Sequence, residues 1–296
     1  MGLPASTETD FDVVVVGAGL SGVGAGYHLQ TRSPDRSYVI LESRDALGGT
    51  WDLFRYPGIR SDSDMYTFGY AFRPWTGGKV FADGPAIKEY VRATAEDNGI
   101  DRHIRYGHRV ISANWDSETA RWTVAAVRGE GERVTFTCRF LLMCSGYYRY
   151  EHGYMPEFDG MKDFDGEIVH PQLWPEDLDY SGKKVVIIGS GATAVTLVPA
   201  MAKKAAHVTM LQRSPTYIAG RPSRDGFAEW LRKVLPETIA YGITRSRNIL
   251  LAIYFYQFAK RFPDLVKRNV IKLIRDELGE DFDVETHFTP SYNPWD

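Results

Sequence analysis

Three glycines, Gly17, Gly19 and Gly22, have the spacing of a backbone turn that binds a diphosphate. The first permits a tight turn from a strand into a helix, the second lets phosphates approach the backbone, and the third allows close helix packing. The helix then offers free N–H groups and the positive end of its dipole to the anion. Glu42, twenty residues after Gly22, stands where a carboxylate accepts hydrogen bonds from ribose hydroxyls. These residues predict a dinucleotide site.

A second turn of the same kind begins at Gly189, in the sequence GSGATA. Gly191 and Thr193 lie within it, and Ala194 replaces the third glycine while still allowing the helix to pack closely. We therefore expect a second dinucleotide to bind through Gly189, Gly191 and Thr193.

The two predicted sites differ at the residue that selects the cofactor. Arg213 lies 24 residues after Gly189, whereas Glu42 lies 25 residues after Gly17. A carboxylate would repel a ribose 2′-phosphate, whereas a guanidinium can bind it with two charge-assisted hydrogen bonds. The second site is therefore expected to bind NADPH rather than NADH, with Arg213 and Ser214 beside the phosphate. The alternative is that Arg213 is an ordinary surface arginine.

Two strand–helix–strand units position these turns. Residues 11–16 are an apolar run typical of a strand buried on both faces, residues 17–30 predict a helix, and residues 38–42 predict a second parallel strand. The second unit repeats this order at 184–188, 192–203 and 207–211. The other predicted elements are a helix at 85–98, a β-meander at 121–143, and a helical region at 225–279 with breaks at Pro236 and Pro263.

Composition and charge narrow the class of protein. The 296 residues are 44% hydrophobic and 25% charged, as in globular proteins long enough for two domains. The net charge of -3 and the lack of a Lys/Arg run argue against nucleic-acid binding. Cys138 and Cys144 are too few for a disulfide scaffold or a zinc site, so no metal is expected. Because no secretory signal is visible, the expected location is the cytoplasm.

The longest apolar run, residues 249–258 (ILLAIYFYQF), is about half the length that a bilayer span requires. No transmembrane segment is therefore expected. Helix packing or the lining of an apolar substrate tunnel is the favoured role, and weak peripheral association with membranes stays open as an alternative.

Residues 47–51 (LGGTW) and 55–58 (RYPG) resemble the flavin-wrapping segment of FAD-dependent monooxygenases with two dinucleotide-binding domains. The resemblance implies that FAD occupies the first site and that Asp62 lies near the isoalloxazine and nicotinamide rings. Composition alone would make Asp62 a solvated turn carboxylate, because it stands in the sequence SDSD. The further FAD contacts that the resemblance implies are Gly49, Thr50, Trp51, Tyr66 and Val110.

Residues 164–175 (FDGEIVHPQLWP) resemble the fingerprint of type I Baeyer–Villiger monooxygenases, F-x-G-x-x-x-H-x-x-x-W-P, at every specified position. Trp174 separates this family from related N-oxygenating flavin monooxygenases, which carry tyrosine or phenylalanine there. Residues 292–296 (YNPWD) resemble the actinobacterial subgroup that activates thioamide prodrugs. The chain is therefore similar to the N-terminal portion of such an enzyme.

His170 and Trp174 join Asp62 as the residues expected to influence catalysis, and each has two interpretations. A histidine among apolar residues is commonly a structural imidazole, and a tryptophan before proline commonly anchors a loop. Direct catalysis is the other interpretation. Because a linker between two cofactor domains can change shape during a catalytic cycle, we predict structural and conformational roles for both.

The resemblance also implies an α/β fold. It consists of two Rossmann-like dinucleotide-binding domains of the three-layer ββα type with a helical insertion, and its C-terminal part is missing from this sequence. The expected ranges are 10–150 for the first segment of the FAD-binding domain, 151–222 for the NADPH-binding domain with its linker, and 223–290 for the helical insertion. The arginine that stabilises anionic oxygen in this family is expected beyond residue 296.

The activity implied by the resemblance is oxygenation of a small molecule by O₂, with NADPH as the reductant of FAD. A ketone would give an ester or lactone, and a sulfide or thioamide would be S-oxygenated. The alternatives are an N- or S-oxygenating flavin monooxygenase and a catalytically incomplete dinucleotide-binding fragment. A pyridine-nucleotide disulfide reductase is disfavoured, because Cys138 and Cys144 lie six residues apart rather than in a C-x-x-C pair.

Overall fold

The structure, a computed structural model, describes residues 9–295. Most of the N-terminal polar leader and the last residue of the YNPWD segment lie outside this range. The chain divides into two compact units. The first contains the residues up to 55 together with 84–176, and the second contains 56–83 together with the residues from 177 onward. Residues 56–83, which fall within the predicted 10–150 range, are thus part of the second unit.

The first unit is built on a mixed sheet. Within the described residues its strands are β1 (Asp10–Val16), β2 (Tyr38–Leu41), β3 (Ile104–Arg105), β4 (His108–Asp116), β5 (Arg121–Arg128) and β6 (Glu132–Met143), in the order β3-β2-β1-β6-β5-β4. β1 pairs in parallel with β2 and β6, while β5 pairs antiparallel with β4 and β6. β1 lies between two parallel neighbours, and Val14 and Val15 are fully buried, as expected for a central strand.

Two helices of the first unit are α1 (Leu20–Arg32) and α2 (Gly84–Asp97). Helix α1 follows the first glycine turn and packs through small residues. A Cβ on Gly26 would lie 2.7 Å from Ile100 Cγ2, so glycine allows the close approach. The apolar core beside the sheet combines strand residues from both of its halves: Phe11, Val14, Val16, Val39, Leu41, Val124, Ala126, Phe136 and Cys138.

The second unit repeats the strand–helix–strand pattern. Strands β7 (Lys184–Ile188) and β8 (His207–Leu211) pair in parallel on either side of helix α3 (Ala192–Met201) in the chain. The predicted helical region follows as α4 (Gly226–Val234), α5 (Glu237–Arg261), α6 (Pro263–Leu278) and α7 (Val284–Phe288).

The predicted helix breaks at Pro236 and Pro263 are confirmed. Pro236 is the N-cap of α5, and Pro263 is the first residue of α6, where the missing N–H has no intrahelical partner to lose. Among the described helices, including the 25-residue α5, none is long and apolar enough to cross a membrane.

Candidate dinucleotide-binding sites

The turn between β1 and α1 requires glycine at two of its three motif positions. Gly17 has φ of +103°, and a Cβ there would lie 2.5 Å from the carbonyl oxygen of Cys144. A Cβ on Gly22 would lie only 1.8 Å from the carbonyl oxygen of Gly17. The tight turn and the close helix contact predicted from the spacing are therefore both present.

Both backbone polar groups of Ala18 form hydrogen bonds. Its N–H donates to Glu42 Oε2 at 2.7 Å, and its carbonyl oxygen accepts from the N–H of Gly48 at 3.0 Å. The other carboxylate oxygen of Glu42 accepts from the N–H of Arg44 at 2.9 Å, and the Glu42 side chain is buried. Glu42 thus joins the first turn to the segment that follows β2.

The backbones of Gly19 and Gly49 approach so closely that side chains would not fit between them. A Cβ on Gly49 would lie 3.1 Å from Gly19 Cα, and a Cβ on Gly19 would lie 3.6 Å from Gly49 Cα. Gly19 is also the N-cap of α1 and provides no side-chain cap, so the first N–H groups of the helix point to a ligand position. The two glycine backbones form a surface free of side chains at the N-terminus of α1, along which an extended diphosphate fits.

The predicted contacts Thr50 and Trp51 lie in a helical turn, Thr50–Leu53, directly after Gly49. Val110 lies in β4, pairs with Ala126 and packs against the apolar core. The structure therefore places Thr50 and Trp51 directly after Gly49, next to the first glycine turn. The Val110 side chain instead contributes to the core.

Asp52, in the same helical turn, is a buried carboxylate between two cations. Its Oδ2 accepts from Arg44 Nη2 at 2.6 Å, and its Oδ1 lies 2.6 Å from Lys88 Nζ. Desolvation favours the neutral acid, but the charges of Lys88 and Arg44 outweigh it and hold the pKa of Asp52 below its ordinary value. This ion-pair cluster fixes the helical turn that begins at Thr50, and sequence spacing gave no signal for the Lys88 contact.

The second turn lies at the ends of β7 and β8. Gly189 has φ of +128°, and its N–H donates to the carbonyl oxygen of Leu211 at 2.8 Å. Ser190 Oγ donates to the carbonyl oxygen of Ser214 at 3.3 Å, which brings the turn next to the end of β8. Helix α3 begins with Gly191 as its N-cap and has no side-chain cap. As in the first unit, the helix N–H groups remain available to a phosphate.

Arg213 is exposed at the end of β8, one residue before Ser214. Within the described residues 9–295 it forms no ion pair and no hydrogen bond. An arginine with no internal partner beside a phosphate-binding turn fits the predicted 2′-phosphate contact.

Residues 56–58, the end of the predicted RYPG segment, pack on helix α3. Tyr56 is buried and forms a side-chain hydrogen bond with Thr193. Burial raises the pKa of Tyr56, partly offset by Thr193, and the charge of Asp62 raises it further. A Cβ on Gly58 would lie 2.8 Å from Ala200 Cβ. The segment that leads to Asp62 thus contacts both the first and the last turn of the predicted NADPH-binding helix.

Asp62 itself is exposed, with 58% of its side chain accessible, and its Oδ1 lies 3.7 Å from Arg60 Nε. Tyr66, predicted as an FAD contact, is buried in the second unit, where its hydroxyl accepts a hydrogen bond from Arg232. Burial raises the pKa of Tyr66, against the lowering effect of Arg232. The sequence pattern indicated Asp62 and Tyr66 but not Arg232, which lies 166 residues further along the chain.

The fingerprint segment ends in a 3₁₀ turn, Pro171–Leu173, that His170 caps. His170 Nδ1 accepts from the N–H of Gln172 at 3.2 Å, and a Cβ on Gly153 would lie 2.0 Å from His170 Cε1. Gln172 is buried and donates to the carbonyl oxygen of Arg149. Trp174 follows the turn and is half-buried. The His170 contacts are of the kind that a structural role needs.

Comparison with known proteins gives two family matches. Residues 79–262 match the family described as Flavin-binding monooxygenase-like, and residues 15–94 match the NAD(P)-binding Rossmann-like domain. The chain is 58% identical over 286 residues to the FAD-containing monooxygenase EthA of Mycobacterium tuberculosis, and the match covers 96% of the chain. It spans 58% of the length of that relative.

Solved structures of monooxygenases are also similar to this chain. A steroid monooxygenase bound to NADP has a TM-score of 0.62 and 35% identity, with 71% of this chain and 40% of that chain covered. A cyclohexanone monooxygenase from Rhodococcus sp. Phi1 bound to NADP⁺ has a TM-score of 0.65 and 28% identity, and the match covers 77% of this chain and 43% of that chain.

Proposed function

Because the chain belongs to the flavin-binding monooxygenase-like family, we propose that it forms the FAD- and NADPH-binding part of a Baeyer–Villiger type monooxygenase. The observation that carries this proposal is the contrast between two equivalent positions. A buried carboxylate, Glu42, stands at the end of the first unit's second strand, and an exposed arginine, Arg213, stands just after β8. The first suits a ribose with free hydroxyls, and the second suits a ribose with a 2′-phosphate.

FAD binds in the first unit. The diphosphate lies along the adjoining backbones of Gly19 and Gly49 at the N-terminus of α1, and Glu42 accepts hydrogen bonds from the adenosine ribose. Further contacts come from the predicted positions Gly17, Gly22, Thr50 and Trp51, whereas the Val110 side chain packs against the apolar core and Tyr66 is buried in the second unit. The relative from Mycobacterium tuberculosis is named as FAD-containing, which supports this assignment.

NADPH binds in the second unit. Its diphosphate lies at the N-terminus of α3, against Gly189, Gly191 and Thr193, and its 2′-phosphate lies beside Arg213 and Ser214. Two of the similar solved structures are named as bound to NADP, which supports the choice of cofactor.

When both cofactors are bound, NADPH supplies a hydride and FAD supplies the activation of O₂. Asp62, on the segment attached to α3, holds the nicotinamide end of the cofactor. His170 and Trp174 act by shaping the linker, since His170 already caps its own turn. The substrate is a small ketone, which gives an ester or lactone.

A sulfide or thioamide substrate is the second candidate. The sequence segment at residues 292–296 and the 58% identity to EthA favour it. Both reactions transfer one oxygen atom to the substrate. The product, a lactone or ester in one case and an S-oxide in the other, therefore distinguishes the two candidates.

The test is to purify the protein, record its flavin absorbance, and follow NADPH and NADH oxidation with a cyclic ketone or a thioamide as substrate. We expect bound flavin, a preference for NADPH, and a lactone or an S-oxide by mass spectrometry. A protein that neither binds FAD nor gains flavin absorbance on reconstitution contradicts the proposal. Tight flavin binding with no oxygenated product would instead identify a catalytically incomplete dinucleotide-binding protein.

A further inference from the structure

The residues that follow Asp62 are held by helix α5. Asp64 is the N-cap of the helical turn Met65–Phe68 and accepts from the N–H of Thr67 at 3.1 Å. The same carboxylate oxygen accepts from Asn248 Nδ2 at 2.9 Å, and Asn248 belongs to α5. The N-terminal end of this turn is therefore joined to the helix.

The C-terminal end of the turn is held by Arg245, also in α5. Its Nη1 donates to the carbonyl oxygens of Tyr66 at 2.6 Å, Thr67 at 3.2 Å and Gly69 at 2.8 Å. Tyr241 Oη shares its proton between the carbonyl oxygens of Tyr66 at 3.2 Å and Tyr70 at 3.0 Å. A one-turn helix leaves its last carbonyl groups without intrahelical partners, and these two side chains satisfy them.

A second attachment lies on the other side of Asp62. Tyr56 is hydrogen-bonded to Thr193, and Gly58 packs against Ala200, both on helix α3. Asp62 lies between these two attachments with an exposed side chain, and within residues 9–295 its ion pair is the loose one with Arg60. Because its own contacts are weak, the backbone on either side determines where the Asp62 carboxylate points.

We propose that Arg245 is a positioning residue that fixes the Asp62 segment and so couples helix α5 to the NADPH-binding turn. The proposal rests on the proposed function for the role of Asp62, but the contact itself can be tested without any cofactor. All three contacts come from one terminal nitrogen, so the two protons of Nη1 are shared among three carbonyl groups. A lysine ammonium could replace part of this contact, but it would sit on a more flexible stem and hold the carbonyl groups less firmly.

The experiment compares Arg245→Met and Arg245→Lys with the control Arg261→Met. Arg261 is also in α5 but contacts the ring of Phe262 and not the Asp62 segment. Hydrogen exchange is measured at the amides of Thr67, Phe68 and Gly69, which the helical turn protects through bonds to Asp64 and Met65. We expect Arg245→Met to accelerate their exchange at least about tenfold, Arg245→Lys to do so less, and the control to match the parent.

The same variants are then loaded with FAD and mixed with NADPH. If Arg245 acts through Asp62, Arg245→Met slows flavin reduction about tenfold and leaves the flavin content unchanged. In the double variant with Asp62→Asn, the rate of flavin reduction then falls no further than in Asp62→Asn alone. Unchanged exchange at residues 67–69, or losses that multiply in the double variant, overturns the proposal. If no variant, including the parent, reduces flavin, the proposed function fails while the exchange result still decides the contact.

Discussion

Glu42 accepts a 2.7 Å hydrogen bond from the backbone N–H of Ala18 and thereby joins the end of β2 to the first glycine turn. The acid expected to bind a ribose therefore also fixes the turn expected to bind the diphosphate. Its second oxygen, Oε1, accepts from the N–H of Arg44 and from Ser43 Oγ, whereas Oε2 retains a further lone pair for a ribose hydroxyl. Loss of this carboxylate should weaken both parts of the site.

Glu42→Gln keeps the size of the side chain but replaces one acceptor oxygen with an NH₂ group that faces a backbone donor. The unpaired donor weakens the turn, and the ribose hydroxyls lose hydrogen bonds to a charged acceptor, which are worth about 1.5–3 kcal/mol, so we expect FAD affinity to fall by about tenfold or more. The measurement is FAD dissociation followed by fluorescence. Glu96→Gln is the control, because Glu96 is exposed and pairs with Arg92 on α2, away from the glycine turn. Equal affinities in both variants would contradict the role given to Glu42.

Gly22→Ala should destabilise the first unit. Its Cβ would lie 1.8 Å from the carbonyl oxygen of Gly17, and neither backbone can move without breaking the turn. We expect a loss of about 3 kcal/mol in the free energy of unfolding, at the upper end for overpacking. Gly242→Ala is the control, since Gly242 is exposed in α5 with open space around it, and alanine there should stabilise by up to about 1 kcal/mol. Denaturant unfolding of both variants measures the difference.

The sequence predicted those parts of the fold that local patterns determine. The valine run of β1 and the apolar run of β7 identify strands, and the glycines after them identify the turns. β4 was not predicted, because most of its residues are exposed and its sequence lacks an alternating apolar pattern. The helix breaks at prolines were predicted because proline acts through its own backbone.

The contacts that position the sites could not be predicted in the same way. Asp52 meets Lys88, and Tyr66 meets Arg232, across long stretches of chain that no spacing rule connects. Arg245 appears in the sequence as one of several arginines in a helix, and only the folded chain shows which carbonyl groups it contacts. Such pairs depend on tertiary packing rather than on local propensity.

Asp52 makes the stability of the first unit depend on pH. Its pKa in the folded protein lies below the ordinary value of 3.8, so its contribution is present above about pH 4 and is lost as the pH falls through the folded value. We expect Asp52→Asn to lower the free energy of unfolding by about 2 kcal/mol at neutral pH, less than for a fully buried pair because both cations reach solvent.

The measurement is urea unfolding of the parent and of Asp52→Asn between about pH 3 and 7, with Asp35→Asn as an exposed control. The difference in the free energy of unfolding between the parent and Asp52→Asn should become smaller below about pH 4, while the control matches the parent at every pH. If this difference stays constant down to the lowest pH, the charge of the Asp52 carboxylate does not contribute to stability.

Arg213→Gln should change the choice of nicotinamide cofactor. The guanidinium has no partner within residues 9–295, so its removal leaves no buried group unpaired and should not affect stability. Loss of charge-assisted hydrogen bonds to a 2′-phosphate costs about 2 kcal/mol, which corresponds to a roughly 30-fold weaker NADPH affinity. NADH lacks that phosphate, so its affinity should change by less than about twofold. Arg268→Gln, an exposed arginine in α6, is the control, and titration of both nucleotides measures the effect. Equal losses for NADPH and NADH would show that Arg213 contacts a part common to both cofactors and would remove the basis for assigning NADPH to the second unit.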